Sequence, residues 1–233
     1  MTLKKLILWV LGFVFLIIAF TGFINRTFIY RIVTYPDLPI TQSDWYKPME
    51  TVAGDFSEGL PVSEPHAIQI SPKALEAVAA YARERNSSAL LIMYNDTIIL
   101  EEYWRGHSRE SVTNSMSMAK SVLALLIGIA ISEGHIDSED DPVAKYLPEW
   151  RNDERANITI KHLLQMASGL RRYDDKNDPF SDLVQLYLGD DAAATALSVP
   201  AEIEPGTKFQ YNNANSQTLG VLLERVTGKR YTE

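Results

Sequence analysis

The chain of 233 residues is long enough for one large domain or a small pair, and its 46% hydrophobic content supplies a real core. A formal net charge of -8 at pH 7 excludes a general nucleic-acid binder, so no nucleic-acid partner is expected. The absence of cysteine excludes disulfides, cysteine nucleophiles, thiolate metal sites and a lipid-modified amino-terminal cysteine.

The charge is unevenly spread. Residues 1–31 hold Lys4, Lys5, Arg26 and Arg31 and no acid, so 18 of the 22 basic residues face all 30 acidic ones in the remainder. Residues 6–24, LILWVLGFVFLIIAFTGFI, run for nineteen positions without a charge. As a helix rising about 1.5 Å per residue they nearly match a hydrocarbon core of ~30 Å. They predict an N-terminal transmembrane helix, with residues 1–31 as a membrane anchor and the lipid bilayer as a partner through residues 6–24. The alternative is a cleaved signal peptide, which carries a shorter apolar core of about 7–15 residues and a small-x-small cleavage site. Ala19-Phe20-Thr21 is a poor site of that kind. Lys4 and Lys5 favour an amino terminus in the cytoplasm, nearly balanced by Arg26 and Arg31 beyond the apolar run. The expectation is a single-pass protein of the inner (cytoplasmic) membrane whose main domain faces the periplasm or exterior. Residues 32–65 mix Pro36, Pro39, Pro48 and Pro61 with Trp45, Tyr46 and Gly59, which predicts an extended stalk or a strap over a domain occupying residues 66–233.

Ser71-Pro72 is a helix start, with serine as cap and proline at the first helical position, and the helix runs to about Arg85. Residues 89–94 and 97–104 are β-rich runs separated by Asn95-Asp96, a hairpin signal. Residues 106–114 then form a polar connection to residues 115–134, SMSMAKSVLALLIGIAISEG, a serine-rich entry into an apolar helix closed by Gly134. Ten charge-free residues, 122–131, predict that this helix lies buried in a core. The acidic stretch from His135 to Pro142 lacks the alternating ligands, central glycine and terminal glutamate of a calcium loop, so no metal is assigned to it. It is expected to cap a short helix from Pro142 to Leu147. Thr159 caps a helix over 160–166 that ends at Ser168-Gly169, and a charged loop over 171–182 could form a substrate-facing rim. Further helices are predicted over 182–188, 190–197 and 216–226, the last ending at Gly228, with a turn at Pro205-Gly206 before Phe209-Gln210-Tyr211-Asn212-Asn213.

The chemistry centres on Ser117 and Lys120. At i and i+3 of a helix entry their side chains leave the same face one turn apart, so an amine can lie beside a hydroxyl. The hydroxyl also sits among the free N–H groups of the first turn, where developing negative charge is favoured. Without context, the same two residues read more readily as a capping serine and a solvent-facing lysine.

Context comes from six stretches in order: Glu102-Tyr103-Trp104-Arg105-Gly106, Ser115 to Ser121, Gly128 to Gly134, Asp141-Pro142-Val143 with Leu147-Pro148, Thr159 to Leu170, and Pro205-Gly206-Thr207-x-Phe209-x-Tyr211-x-Asn213. Over residues 89–233 this string resembles the amino-terminal two thirds of a serine β-lactamase-like hydrolase. That group includes class C β-lactamases, D-alanyl-D-alanine carboxypeptidases and related esterases, and the 6-aminohexanoate-dimer hydrolase branch is nearest in character. The resemblance implies an α+β fold, an antiparallel sheet with helices plus a helical region. It makes Ser117 the acyl-forming nucleophile, Lys120 the group that helps remove its proton, Tyr211 a phenolate-capable base or relay, and Asn213 a hydrogen-bonding clamp on Lys120 and the substrate. It implies a small-molecule or short peptide or ester substrate and no cofactor or metal. A tyrosine beside a cationic lysine has its phenolate favoured, which suits that role. The family's third motif, Lys-Thr-Gly or His-x-Gly on an inner strand, has no match in residues 214–233, so the C-terminal strands of the sheet are expected to be missing from this stretch. Two alternatives stay open: a non-catalytic membrane-tethered binding or scaffolding protein on a degenerate hydrolase fold, and a true β-lactamase or D-alanyl-D-alanine carboxypeptidase.

Overall fold

A computed structural model describes residues 3–38, 41–42, 44–47, 49–52, 59–63 and 70–230. Pro39 and Pro48, used above for the stalk or strap, and the start of the main domain at residue 66 lie outside the described residues. The chain divides into two units, residues 51–113 and residues 1–50 with 114–233.

In the first unit, helix α3 (Pro72–Glu84) starts where Ser71 in extended backbone meets Pro72 at the first helical position. Its buried side, Leu75, Ala79 and Ala82, follows the helical repeat. Strands β1 (Ala89–Tyr94) and β2 (Thr97–Tyr103) form an antiparallel pair running from Ala89 opposite Tyr103 to Tyr94 opposite Thr97, with a register shift between Ile92 and Met93. Asn95 and Asp96 both take left-handed backbone, φ 47° and 58°, the geometry that lets a two-residue turn match the twist of its strands. Pro61 to Ser63 adds to the other edge of β2, where Ile98 N–H donates to the Pro61 carbonyl at 2.8 Å and Ser63 N–H to the Ile98 carbonyl at 3.0 Å. The small antiparallel sheet and its helices give the α+β class expected.

In the second unit, helix α8 (Asn213–Thr227) is the hub, packing against α4 (Ala119–Ser132), α5 (Ile160–Leu164), α6 (Asp182–Leu188) and α7 (Ala192–Ser198). Asn212 caps its start by accepting from Ala214 N–H, and Gly228 ends it at φ 68°. Leu219, Leu222 and Leu223 then meet Ile127 and Ala130 of α4, Leu163 of α5, and Ile136, Leu147, Trp150 and Ile158 from the connections, in one continuous core. Trp150 is fully buried, and its indole N–H donates to the Leu197 carbonyl at 3.1 Å. The short helix expected from Pro142 is a 3-10 turn, Val143–Lys145.

Two expectations are corrected. Helix α4 buries Ile127 and Ala130 but exposes Val122, Leu125 and Ile129, so one face of it is core and the other open. Freedom from charge makes burial cheap but does not supply a partner for every face.

The second correction concerns the membrane. The apolar run lies in α1 (Leu3–Ile24), but its described apolar arm, Trp9–Ile24, stops at Asn25, where the chain bends by 72° into α2 (Arg26–Val33). Among the described residues no single helix is long and apolar enough to cross a membrane. This overturns the transmembrane helix, the bilayer contact through residues 6–24, and the single-pass inner-membrane, periplasm-facing location built on them. The charged flank also has another use: Arg31 of α2 is buried, with donors on carbonyls at the end of α6.

Candidate active site

The nucleophile candidate sits on a tight entry to α4. Asn114 Oδ1 accepts from Met116 N–H at 2.8 Å, and Met116 adopts φ 46°, unusual for a side chain of its size. A 3-10 turn, Met116–Met118, closes as Met118 N–H donates to the Ser115 carbonyl at 3.1 Å, and α4 begins at Ala119. Ser117 is thereby exposed at the positive end of a fourteen-residue helix. Lys120, one turn on, donates from Nζ to Ser117 Oγ at 3.2 Å.

Tyr211 arrives from the other end of the unit. Its neighbours on both sides are anchored to the loop after α5: Gln210 N–H donates to the Met166 carbonyl at 2.7 Å, and Asn212 Nδ2 donates to the carbonyls of Leu170 and Arg171 at 3.3 and 2.7 Å. That loop is shaped by Met166 and Gly169, at φ 56° and 77°. A Cβ at Gly169 would land on the carbonyl oxygen of Ile203, so only glycine fits there. Held between these anchors, Tyr211 Oη donates to Ser117 Oγ at 2.7 Å, and Lys120 Nζ lies 5.2 Å from the centre of the Tyr211 ring. Partial burial pushes the Tyr211 phenol up, but its interactions with Lys120 and Ser117 and the lysine charge outweigh this, leaving it below the usual phenol range.

Three of the four predicted site residues, Ser117, Lys120 and Tyr211, therefore meet at one oxygen. Asn213, at the first position of α8, lines the same cleft as Ser117 and Lys120, and among the described residues no hydrogen bond joins it to Lys120. The cleft has a volume of about 1220 Å³. Lys176, Asn177 and Pro179 of the charged loop line it, and Arg171 braces that loop's far end through paired bonds to Asp182 at 3.1 and 2.7 Å.

Sequence reasoning passed over Asn212, Asn114 and the buried pair Ser168–Asn215, joined at 2.7 Å. Asparagine ahead of an apolar-periodic run is a cap signal, and that signal was available at Asn212. Nothing local marks the other two. Among the described residues no group of three or more His, Asp or Glu side chains could hold a metal ion.

A protein-family model, Beta-lactamase, matches residues 73–233, well over half of the chain. The chain belongs to the beta-lactamase-like serine-hydrolase family. Among curated members, it is 30% identical over 161 residues to 6-aminohexanoate-dimer hydrolase of Paenarthrobacter ureafaciens, an alignment covering 64% of this chain and 41% of that protein. It is 27% identical over 165 residues to Protein flp of Staphylococcus aureus (strain N315), covering 63% and 31% respectively. The chain therefore spans well under half the length of these two relatives. Of solved structures in the family's fold, FmtA from Staphylococcus aureus superposes with a TM-score of 0.53 at 23% identity, over 76% of this chain and 49% of that one. That likeness concerns the fold. The beta-lactamase family match begins at residue 73, so α1, α2 and the segment up to Pro72 lie outside it.

Proposed function

We propose that the protein cleaves an ester or amide through an acyl-enzyme on Ser117, with Lys120 and Tyr211 handling the proton. The observation that carries this reading is the convergence of Lys120 Nζ and Tyr211 Oη on Ser117 Oγ, at 3.2 and 2.7 Å. When the Tyr211 phenol has lost its proton, its oxygen accepts the serine proton as Ser117 Oγ bonds to the substrate carbonyl carbon. The carbonyl electrons move to oxygen, whose charge is favoured by the positive end of the α4 dipole. Collapse of this adduct breaks the bond to the leaving group, which takes the proton from Tyr211. Water then enters by the same proton route, releases the acid and restores the serine. Lys120 donates to the Ser117 hydroxyl and favours the phenolate form of Tyr211. Asn213 orients the substrate from the cleft wall. The family membership and the 6-aminohexanoate-dimer hydrolase relative are consistent with ester or amide chemistry.

The test is covalent labelling of the intact protein by a fluorophosphonate or β-lactam probe, read by intact mass. Wild type is expected to gain one adduct, located on Ser117 by peptide mapping, and Ser117→Ala none. Folded wild-type protein that takes no label would remove the enzyme reading and leave a binding protein on a hydrolase fold.

A further inference from the structure

We propose that the cleft beside Ser117 is a site for an apolar acyl chain, and that α2 and the residues just after it form one of its walls, clasped in place by Arg31. This rests on the hydrolase reading for the chemistry at Ser117 and adds a substrate class: esters or amides of neutral, medium-length aliphatic or aryl-aliphatic acids.

The first support is the lining. Away from Ser117, the cleft is bounded by Leu123 and Leu126 of α4, Leu183 and Tyr187 of α6, and Ile32 and Tyr35 of the amino-terminal segment. Its described lining holds two charged side chains, Lys120 and Lys176, both cationic, and no carboxylate. A substrate ending in an ammonium group would find no counter-charge there and would lose hydration without compensation. A hydrocarbon chain loses nothing and gains the area it buries.

The second support is the way the wall is fastened. Arg31 is 7% exposed, and its donors go to three carbonyls: Nε to Lys47 at 2.9 Å, Nη1 to Leu188 at 3.1 Å and to Gly189 at 2.6 Å. Leu188 and Gly189 end α6, where carbonyls lack partners within the helix and a cation is welcome. The guanidinium face lies 4.2 Å from the centre of the Tyr46 ring, which fixes its plane as well as its position. One residue beyond Arg31, Ile32 faces the cleft, and Tyr35 follows with its ring edge-on to Trp45 at 5.1 Å and to Tyr187 at 6.3 Å. Tyr35 and Tyr187 thus form an aromatic wall drawn from two elements. Arg31, Ile32 and Tyr35 precede the residues that the family model matches, so the wall adds contacts from outside that span.

The intact protein would be assayed on p-nitrophenyl acetate and p-nitrophenyl octanoate. A methylene fully removed from water tightens binding about fourfold, so six more of them give at least a roughly tenfold higher kcat/KM for octanoate even when burial is partial. Tyr35→Ala and Arg31→Gln should each lower the octanoate-to-acetate ratio by about fivefold or more, and Tyr35→Phe, which keeps the ring, should retain it. If Arg31→Gln does not fold, Tyr35→Ala decides. Calorimetry on Ser117→Ala with octanamide, acetamide and 8-aminooctanamide reads the site without the chemistry, and octanamide should bind most tightly. No length preference in wild type, or a ratio unmoved in Tyr35→Ala, would overturn the proposal while leaving the hydrolase reading intact. Ester-inactive wild type whose Ser117→Ala form still prefers octanamide would remove the hydrolase reading and leave the chain site standing.

Discussion

Tyr211 and Ser117 are 94 positions apart in the chain, and the phenol oxygen of one lies 2.7 Å from the hydroxyl oxygen of the other. Because Lys120 contacts both groups, the acid strength of Tyr211 is expressed as a pH dependence. Its phenol is held below the usual range, so activity should rise as pH climbs through a value below the ordinary tyrosine pKa of about 10. Tyr211→Phe removes the proposed base and should lower kcat/KM by about 10²–10⁴ and flatten that limb of the profile. A pH–rate profile of wild type and variant checks both.

Lys120→Met removes the cation while keeping most of the side-chain volume. Without it the Tyr211 phenol keeps the burial that raises its pKa and loses its largest opposing influence. The rising limb should therefore move to higher pH, with a loss of about 10²-fold or more at neutral pH. Stopped-time assays across pH 6 to about 10 would register an unmoved limb as evidence against the pairing.

Asn212 combines three bonds in one buried side chain: it caps α8 and ties the Leu170 and Arg171 carbonyls to the residue after Tyr211. Asn212→Ala should cost about 2–3 kcal/mol, the sum of a lost cap and stranded carbonyls. Urea denaturation gives the stability change. Activity under conditions where the variant is still folded shows whether Tyr211 has also moved.

Gly169→Ala places a methyl group against the Ile203 carbonyl at a residue whose φ is 77°. The backbone must shift on both counts, and the Gly169 carbonyl also accepts from Glu202 and Ile203 N–H at 2.9 and 3.1 Å. A destabilisation above about 3 kcal/mol is expected. A melt within a degree or two of wild type would contradict this geometry.

Glu149 and Arg225 join the connection before α5 to the last turn of α8 through paired bonds at 2.6 and 2.7 Å. Arg225 holds the Glu149 carboxyl down at about 2, against an ordinary value of 4.5. The folded-state value is the lower one, so the stability it contributes is present above about pH 4.5 and is lost as pH falls toward 2. The pair is more than a third exposed, which limits the contribution to below about 1 kcal/mol. Denaturant midpoints of wild type and Glu149→Gln should differ at pH 7 and converge near pH 2.

Much of this was legible in the sequence because it is written in short range. Ser71-Pro72, Asn95-Asp96, Thr159 and Gly228 each set a local backbone geometry, and α3, the hairpin, α5 and the end of α8 fall where these signals put them. Ser117 and Lys120 are likewise a matter of one helical turn. The bend at Asn25 was harder to see, since it falls just beyond the nineteen charge-free residues and hydrophobicity does not say where the chain turns after them. The role of Arg31 was invisible for a different reason: its acceptors are backbone carbonyls 157 and 158 positions away, and carbonyls leave no mark on a sequence. The open face of α4 illustrates the same limit, because composition shows what a helix can bury and not what is there to bury it.

Met116 holds a left-handed backbone that its side chain disfavours by about 1–2 kcal/mol. The neighbouring clasps, Asn114 on its N–H and Tyr187 on its sulfur, keep that turn cocked. On the hydrolase reading proposed above, that strain serves to aim one hydroxyl, and Met116→Gly should relieve the strain while loosening the serine. Stabilising this molecule and sharpening it are opposing design goals, and residue 116 is where they meet.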